Sequence, residues 1–137
     1  MNTYIVDTSV AVAWYMDEVF SPGARTWQER LLGGKVRMLV PSFHYWEFAN
    51  VLRTRVGRNE IEGDLAAEIF DLHLDAPLEV MDPDRRTVLS TALEYGSTAY
   101  DAVFIAVAVS NDAPLITAER TTTGWVTKLA ALVESVR

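Results

Sequence analysis

The 137-residue sequence contains no cysteine. Disulfides, zinc–thiolate sites and a cysteine nucleophile are thereby excluded. Histidine is almost as scarce. His44 and His73 fall in separate helical stretches with no ligand-like spacing, so zinc is not expected and any metal should be hard and oxygen-bound. No apolar run reaches the roughly 18 residues needed to cross a bilayer, and Met1-Asn2-Thr3-Tyr4 lacks the basic and apolar regions of a signal peptide. No membrane association and a cytoplasmic location are therefore expected. The phosphate loop G-x-x-x-x-G-K-[ST], the dinucleotide fingerprint G-x-G-x-x-G and the serine-hydrolase elbow G-x-S-x-G are all missing, which disfavours those chemistries. An excess of basic charge is missing too. The net charge of −7 argues against a general nucleic-acid coating protein. It does not exclude a nuclease, because acids that bind cations are locally compensated and Arg53, Arg55 and Arg58 form a basic cluster.

What is present fits one domain spanning residues 1–137. Half of the chain is apolar, ample for a core. Tyr4 to Val6 reads as a buried strand, followed by a helix from Ser9 to Met16. Ser21-Pro22 reads as a capped helix start, with the helix running to Leu32. A strand is expected over Arg37 to Val40, then a long helix capped by Ser42 and ended by Gly57. Residues Ile61 to Leu74 fit a helix with Ile61, Leu65, Ile69 and Leu72 on one face. A strand over Leu78 to Met81 precedes a helix opened by Asp82-Pro83 and ended at Tyr95-Gly96. Thr98 opens the next helix, to about Ser110, and Pro114 to Thr117 is a fourth strand. The tail reads either as helix (Trp125, Leu129, Leu132, Val133, Val136) or as a fifth strand over Val133 to Val136. Strands alternating with helices indicate an α/β domain with a mostly parallel sheet.

Four acids stand out. Asp7 ends the first strand, at the sheet edge where ligands bind in such folds. It could equally cap the following helix. Glu47 lies among aromatics in Phe43-His44-Tyr45-Trp46-Glu47-Phe48, and neither Asn50 nor Val51 offers it a cation one turn on. Asp101 follows Thr98 in a capping pattern, ahead of a helix that is apolar nearly all round and so buried. Glu119 comes just after the fourth strand and could instead serve a helix dipole. Four ionised carboxylates brought together repel one another. Mg²⁺ or Mn²⁺ would relieve that cost and lower the pKa of a coordinated water, which suits phosphodiester hydrolysis. Thr8, Ser9 and Thr117 are placed to orient the carboxylates or their waters.

These landmarks (Ile5-Val6-Asp7-Thr8-Ser9, Glu47 after Pro41-Ser42, Ala99-Tyr100-Asp101-Ala102 and Leu115-Ile116-Thr117-Ala118-Glu119) resemble the PIN-domain ribonucleases, particularly the VapC-type toxins of toxin–antitoxin pairs. The resemblance implies a three-layer α/β/α fold, Mg²⁺ or Mn²⁺ at Asp7, Glu47, Asp101 and Glu119, and endonucleolytic cleavage of RNA. It also implies a homodimer and a protein antitoxin that covers the site. The family usually has Asp where this chain has Glu119. The alternatives are a PIN-like domain that binds RNA or an antitoxin without cutting, and a small-molecule α/β hydrolase. Part of the aromatic set Phe43, Tyr45, Trp46, Phe48, Trp14 and Tyr15 is expected to contact a second subunit or the antitoxin. The basic cluster is a candidate for RNA phosphate contact.

Overall fold

The computed structural model describes residues 1–137. Five strands form one sheet: β1 (Asn2–Val6), β2 (Val36–Val40), β3 (Glu79–Val80), β4 (Leu115–Thr117) and β5 (Val133–Ser135). All neighbours run parallel, in the order β3-β2-β1-β4-β5. Seven α-helices connect them: α1 (Thr8–Val12), α2 (Ser21–Leu32), α3 (Phe43–Gly57), α4 (Gly63–Leu74), α5 (Arg85–Tyr95), α6 (Ala99–Asn111) and α7 (Gly124–Leu129).

Strand alternation builds the three layers. Successive side chains of a strand point to opposite faces. Tyr4 and Val6 of β1, with Val36, Met38 and Val40 of β2, pack beneath α1 to α4. Ile5 and Leu39 face the other way, onto Phe104, Ile105, Val107 and Ala108 of α6 and Trp125, Val126 and Leu129 of α7. Both faces are thus covered by helices, as a parallel sheet requires.

The strand order positions the site. The chain proceeds from β1 outward to β2 and β3, then returns to β4 and β5 on the other side of β1. The reversal puts a topological switch point between β1 and β4, and ligand crevices open there at the carboxyl ends of strands. Asp7 and Thr117 lie at that edge. The Asp7 N–H donates to the Ile116 carbonyl at 2.9 Å, so the ladder continues into the candidate site.

Several local readings change. Ser21 does not cap α2. Phe20 holds that position, and the Ser21 hydroxyl accepts from the Glu18 N–H at 2.8 Å and faces the carbonyls of Ala13 and Met16. Ser42 does hold the N-cap position of α3, but with helical dihedral angles and no side-chain capping bond; its N–H and hydroxyl both donate to Asp82 at 2.7 Å. The cap of α5 is Asp84, which accepts from the Arg86 N–H. The first helix is shorter than expected, and α4 starts at Gly63. The α4 face is rotated as well: Ala66, Ile69 and His73 are buried, while Leu65 and Leu72 point outward. The apolar spacing admitted two stripes, and α3 packs against the one that carries His73. The tail is both things in turn, α7 and a 3₁₀ turn (Ala130–Leu132) followed by β5. Gly23 is where α2 meets this tail: a Cβ there would lie 2.5 Å from the Val136 carbonyl oxygen.

Candidate functional site

Asp7, Thr8, Ser9, Glu47, Asn50, Val51, Asp101 and Glu119 line one cavity of about 290 Å³. The four expected acids reach it from four segments. Asp7 extends β1, Glu47 projects from α3, Asp101 lies in the first turn of α6, and Glu119 follows β4. No basic side chain lines the cavity.

Two of the three expected supporting hydroxyls, those of Thr8 and Thr117, hold the acids, whereas Ser9 lines the cavity and its hydroxyl bonds to none of them. Asp7 accepts from the Thr8 N–H at 2.9 Å through one oxygen and from the Thr117 hydroxyl at 2.9 Å through the other. It therefore does cap α1, and still faces the cavity. Thr117 in turn accepts from the Glu119 N–H at 3.0 Å. Thr8 donates its hydroxyl to Glu47 at 2.8 Å. Thr98 caps α6 by accepting from the Asp101 N–H at 3.1 Å. Glu119 stands at the rim in a loop that precedes α7, so a helix-dipole role is not available to it; the Thr123 hydroxyl reaches it at 3.3 Å.

Electrostatics reflect this crowding. Burial pushes the Asp7 carboxyl up to about 7; the Thr117 hydroxyl opposes that, and the charges of Asp101 and Glu47 add to it. Glu47 is raised mainly by burial, against the bond from Thr8. Asp101 is raised by burial and then by Glu119, with Thr98 acting the other way. A cavity that disfavours its own ionised carboxylates, and lacks a cation of its own, suits a hard divalent ion. No three of these acids form a tight preformed cage. A hard divalent ion held there would keep part of its water shell.

Comparisons with known proteins give the family and the fold. The PIN domain family model matches residues 4–121. The chain belongs to the PIN domain family. PIN domains are generally nucleases. Among solved structures, PAE2754 from Pyrobaculum aerophilum superposes with a TM-score of 0.73 at 24% identity, covering 98% of this chain and 91% of that one. VapBC2 from Rickettsia felis, solved bound to a DNA fragment from its promoter, gives a TM-score of 0.65 at 14% identity, covering 97% and 98%. Both likenesses are of fold. No curated protein matches. No helix of this PIN domain is long and apolar enough to cross a membrane.

Behind the acids, this PIN domain carries a feature the sequence reading missed. His44 and His73, distant in sequence, meet with Nε2 atoms 2.7 Å apart, and both are fully buried. His44 Nδ1 lies 2.9 Å from the Thr8 hydroxyl, and His73 Nδ1 lies 2.9 Å from the Tyr15 hydroxyl. Burial lowers His44 to about 3, helped by His73, and lowers His73 to about 4, so both rings are neutral near pH 7. Hydrogen-bond logic then fixes every proton. The Glu47 carboxylate only accepts, so Thr8 donates to it. His44 must donate to Thr8 from Nδ1, which leaves its Nε2 bare. His73 must donate from Nε2, and its bare Nδ1 accepts from Tyr15. Nitrogen-detected NMR of the metal-free protein at neutral pH should find His44 as the Nδ1–H tautomer and His73 as the Nε2–H tautomer. The opposite pair would mean that Thr8 does not donate to Glu47. No sequence spacing pairs α3 with α4, so only packing could reveal the chain of bonds.

The basic cluster divides. Arg55 is tied to Glu18 and to Glu60. Arg53 and Arg58 are exposed and take part in no ion pair.

Proposed function

We propose that this PIN domain is a divalent-metal-dependent endoribonuclease. The observation that carries the reading is the convergence of four carboxylates on one cavity without a basic side chain. In this reading Asp7, Glu47 and Asp101 hold the principal Mg²⁺ or Mn²⁺, directly or through water, and Glu119 assists from the rim. When bound, such an ion activates water and stabilises the charge that develops on the leaving oxygen. The chain's own residues orient the reaction. Thr117 and the Thr8 N–H hold the two Asp7 oxygens, and the Thr8 hydroxyl holds one Glu47 oxygen, leaving their remaining lone pairs toward the cavity. Arg53 and Arg58, beyond Glu47 on α3 and at its end, take RNA phosphate.

The biological setting we infer is that of a VapC-type toxin, held in check by a protein antitoxin and acting in the cytoplasm as a single-domain homodimer. Support comes from the fold likeness to VapBC2 and from exposed apolar side chains such as Leu89 and Leu93, one turn apart on α5. The expected aromatic contact set narrows: Phe48 and Trp14 are buried within the chain's own core, whereas Trp46 is not.

The test is cleavage of defined RNAs by purified protein with chelator, Mg²⁺ or Mn²⁺. Cleavage only with metal is expected; a folded protein that binds RNA without cutting under all three conditions would favour the binding-only alternative. In the same assay, Arg53→Ala/Arg58→Ala should weaken RNA binding and flatten its dependence on salt by about two charges. An unchanged salt slope would remove the phosphate role.

A further inference from the structure

Trp46 and Tyr100 break the usual rule that large aromatics are mostly buried. Trp46 is 69% exposed and Tyr100 is 65% exposed. The other three tryptophans behave ordinarily: Trp14 and Trp125 are buried, and Trp27 packs edge-on against Tyr4. The two exposed rings are not scattered. Tyr100 lies parallel to Phe43, with ring centroids 5.4 Å apart and planes 12° from parallel. Phe43, Trp46 and Tyr100, together with Glu47 and Asn50, line a hollow of about 350 Å³. Glu47 and Asn50 also line the acidic cavity, so the two spaces share a wall.

The placement follows from sequence. Trp46 immediately precedes Glu47 on α3, and Tyr100 immediately precedes Asp101 on α6. Adjacent residues of a helix point about 100° apart. When each acid turns into the crevice, its aromatic neighbour is left on the rim beside it.

We propose that this hollow is a nucleobase subsite, taking one unpaired base that flanks the scissile phosphate of a single-stranded RNA. The proposal rests on the ribonuclease reading of the adjacent acids. The chemistry of the lining selects the occupant. Its only charged member is an acid, so it repels phosphate and favours a neutral group. Three of its five lining residues are aromatic, and aromatic rings stack on any base. The Asn50 side chain offers both a donor and an acceptor at the mouth, suited to a base edge. Duplex RNA does not fit, because its bases are already stacked on one another and only their edges are open. A strand whose phosphate lies at the acids places a neighbouring base at the shared wall, so occupation of the two spaces is coupled by the backbone.

Trp46 is the only strongly exposed tryptophan, and its emission reports directly on the hollow. Fluorescence titration of the intact protein in Mg²⁺ with a short single-stranded RNA should quench Trp46, whereas the same strand in a duplex should not. Trp46→Ala and Tyr100→Ala should each bind the single strand about 5- to 100-fold more weakly, and Trp46→Phe should retain most of the affinity. Unchanged affinity in both alanine variants overturns the subsite, as does equal quenching by single strand and duplex. So does a Trp46→Ala variant that converts an oligomer to a monomer with RNA affinity intact, which would assign the surface to a protein partner. Base-dependent quenching without cleavage would keep the subsite and reject the nuclease reading. Metal-dependent cleavage indifferent to both alanine variants would do the reverse. Absence of any RNA binding would reject both.

Discussion

Asp7→Asn is expected to lower metal-dependent RNA cleavage by at least about 100-fold while the fold is kept. The estimate comes from scale: removing a residue that merely supports a metal ligand costs about 10- to 100-fold, and here the ligand's own charge would be removed. Asn is nearly the same shape. Its side-chain oxygen can still accept from the Thr8 N–H, as Asp7 does at 2.9 Å, and Asn caps helices as well as Asp. The change removes the charge and nearly keeps the shape, with the new amide donating to the Thr117 hydroxyl that now donates to Asp7 at 2.9 Å. Asp101→Asn should act in the same direction, since its carboxylate faces the same cavity. Glu119→Asp should be tolerated, because Glu119 stands at the exposed rim and Asp keeps the charge. Mn²⁺ titration by calorimetry beside cleavage of one defined RNA separates these cases. Full metal-dependent activity in either Asn variant would sink the assignment of that residue.

The same substitution should do the opposite to stability when metal is absent. Asp7 has a folded-state pKa raised to about 7 from an ordinary 3.8, with burial as the largest cause. A raised folded pKa means that the folded state binds the proton more tightly than the unfolded chain does. Stability is therefore full below pH 4 with respect to this group and is lost as pH rises through about 7. Each pKa unit corresponds to about 1.4 kcal/mol. The full shift would be worth about 4 kcal/mol, and partial access of water to Asp7 reduces that to about 2 kcal/mol. Glu47 and Asp101 are raised too and add in the same sense. In chelator, Asp7→Asn should melt near the wild-type temperature at pH 4 and on the order of 5–10 °C above it at pH 8. Adding Mg²⁺ should narrow the gap at pH 8 by stabilising only the wild-type site. Parallel melting curves across this pH range would show that Asp7 is not held in an ionisation-hostile cavity.

The acids were legible in the chain because each carries a local signal. Asp7 ends an apolar strand, Asp101 opens an apolar helix behind a capping Thr98, and Glu47 sits among aromatics without a cation in reach. The hydroxyls Thr8 and Thr117 were legible for the same reason, since a strand end fixes where the next one or two side chains point. Local signals failed where two answers satisfy the same pattern. Ser21 and Ser42 have capping chemistry, but chain direction at each junction gave their hydroxyls to other partners. In α4 the apolar spacing allowed two faces, and packing against α3 chose the one through Ala66, Ile69 and His73.

The sequence by itself determined the α/β class and the parallel sheet and singled out four candidate acids, because hydrophobic period, strand–helix alternation and residue type act over a few neighbours at a time. The tertiary structure decided what depends on segments far apart in the chain. It joined His44 to His73 across 29 residues, committed Arg55 to Glu18 and left Arg53 and Arg58 free, and brought Trp46 and Tyr100 to one hollow beside the acids. Those contacts arise where α3 meets α4, the segment between α1 and α2, and the start of α6. No single segment encodes them, because each depends on residues from two segments distant in sequence.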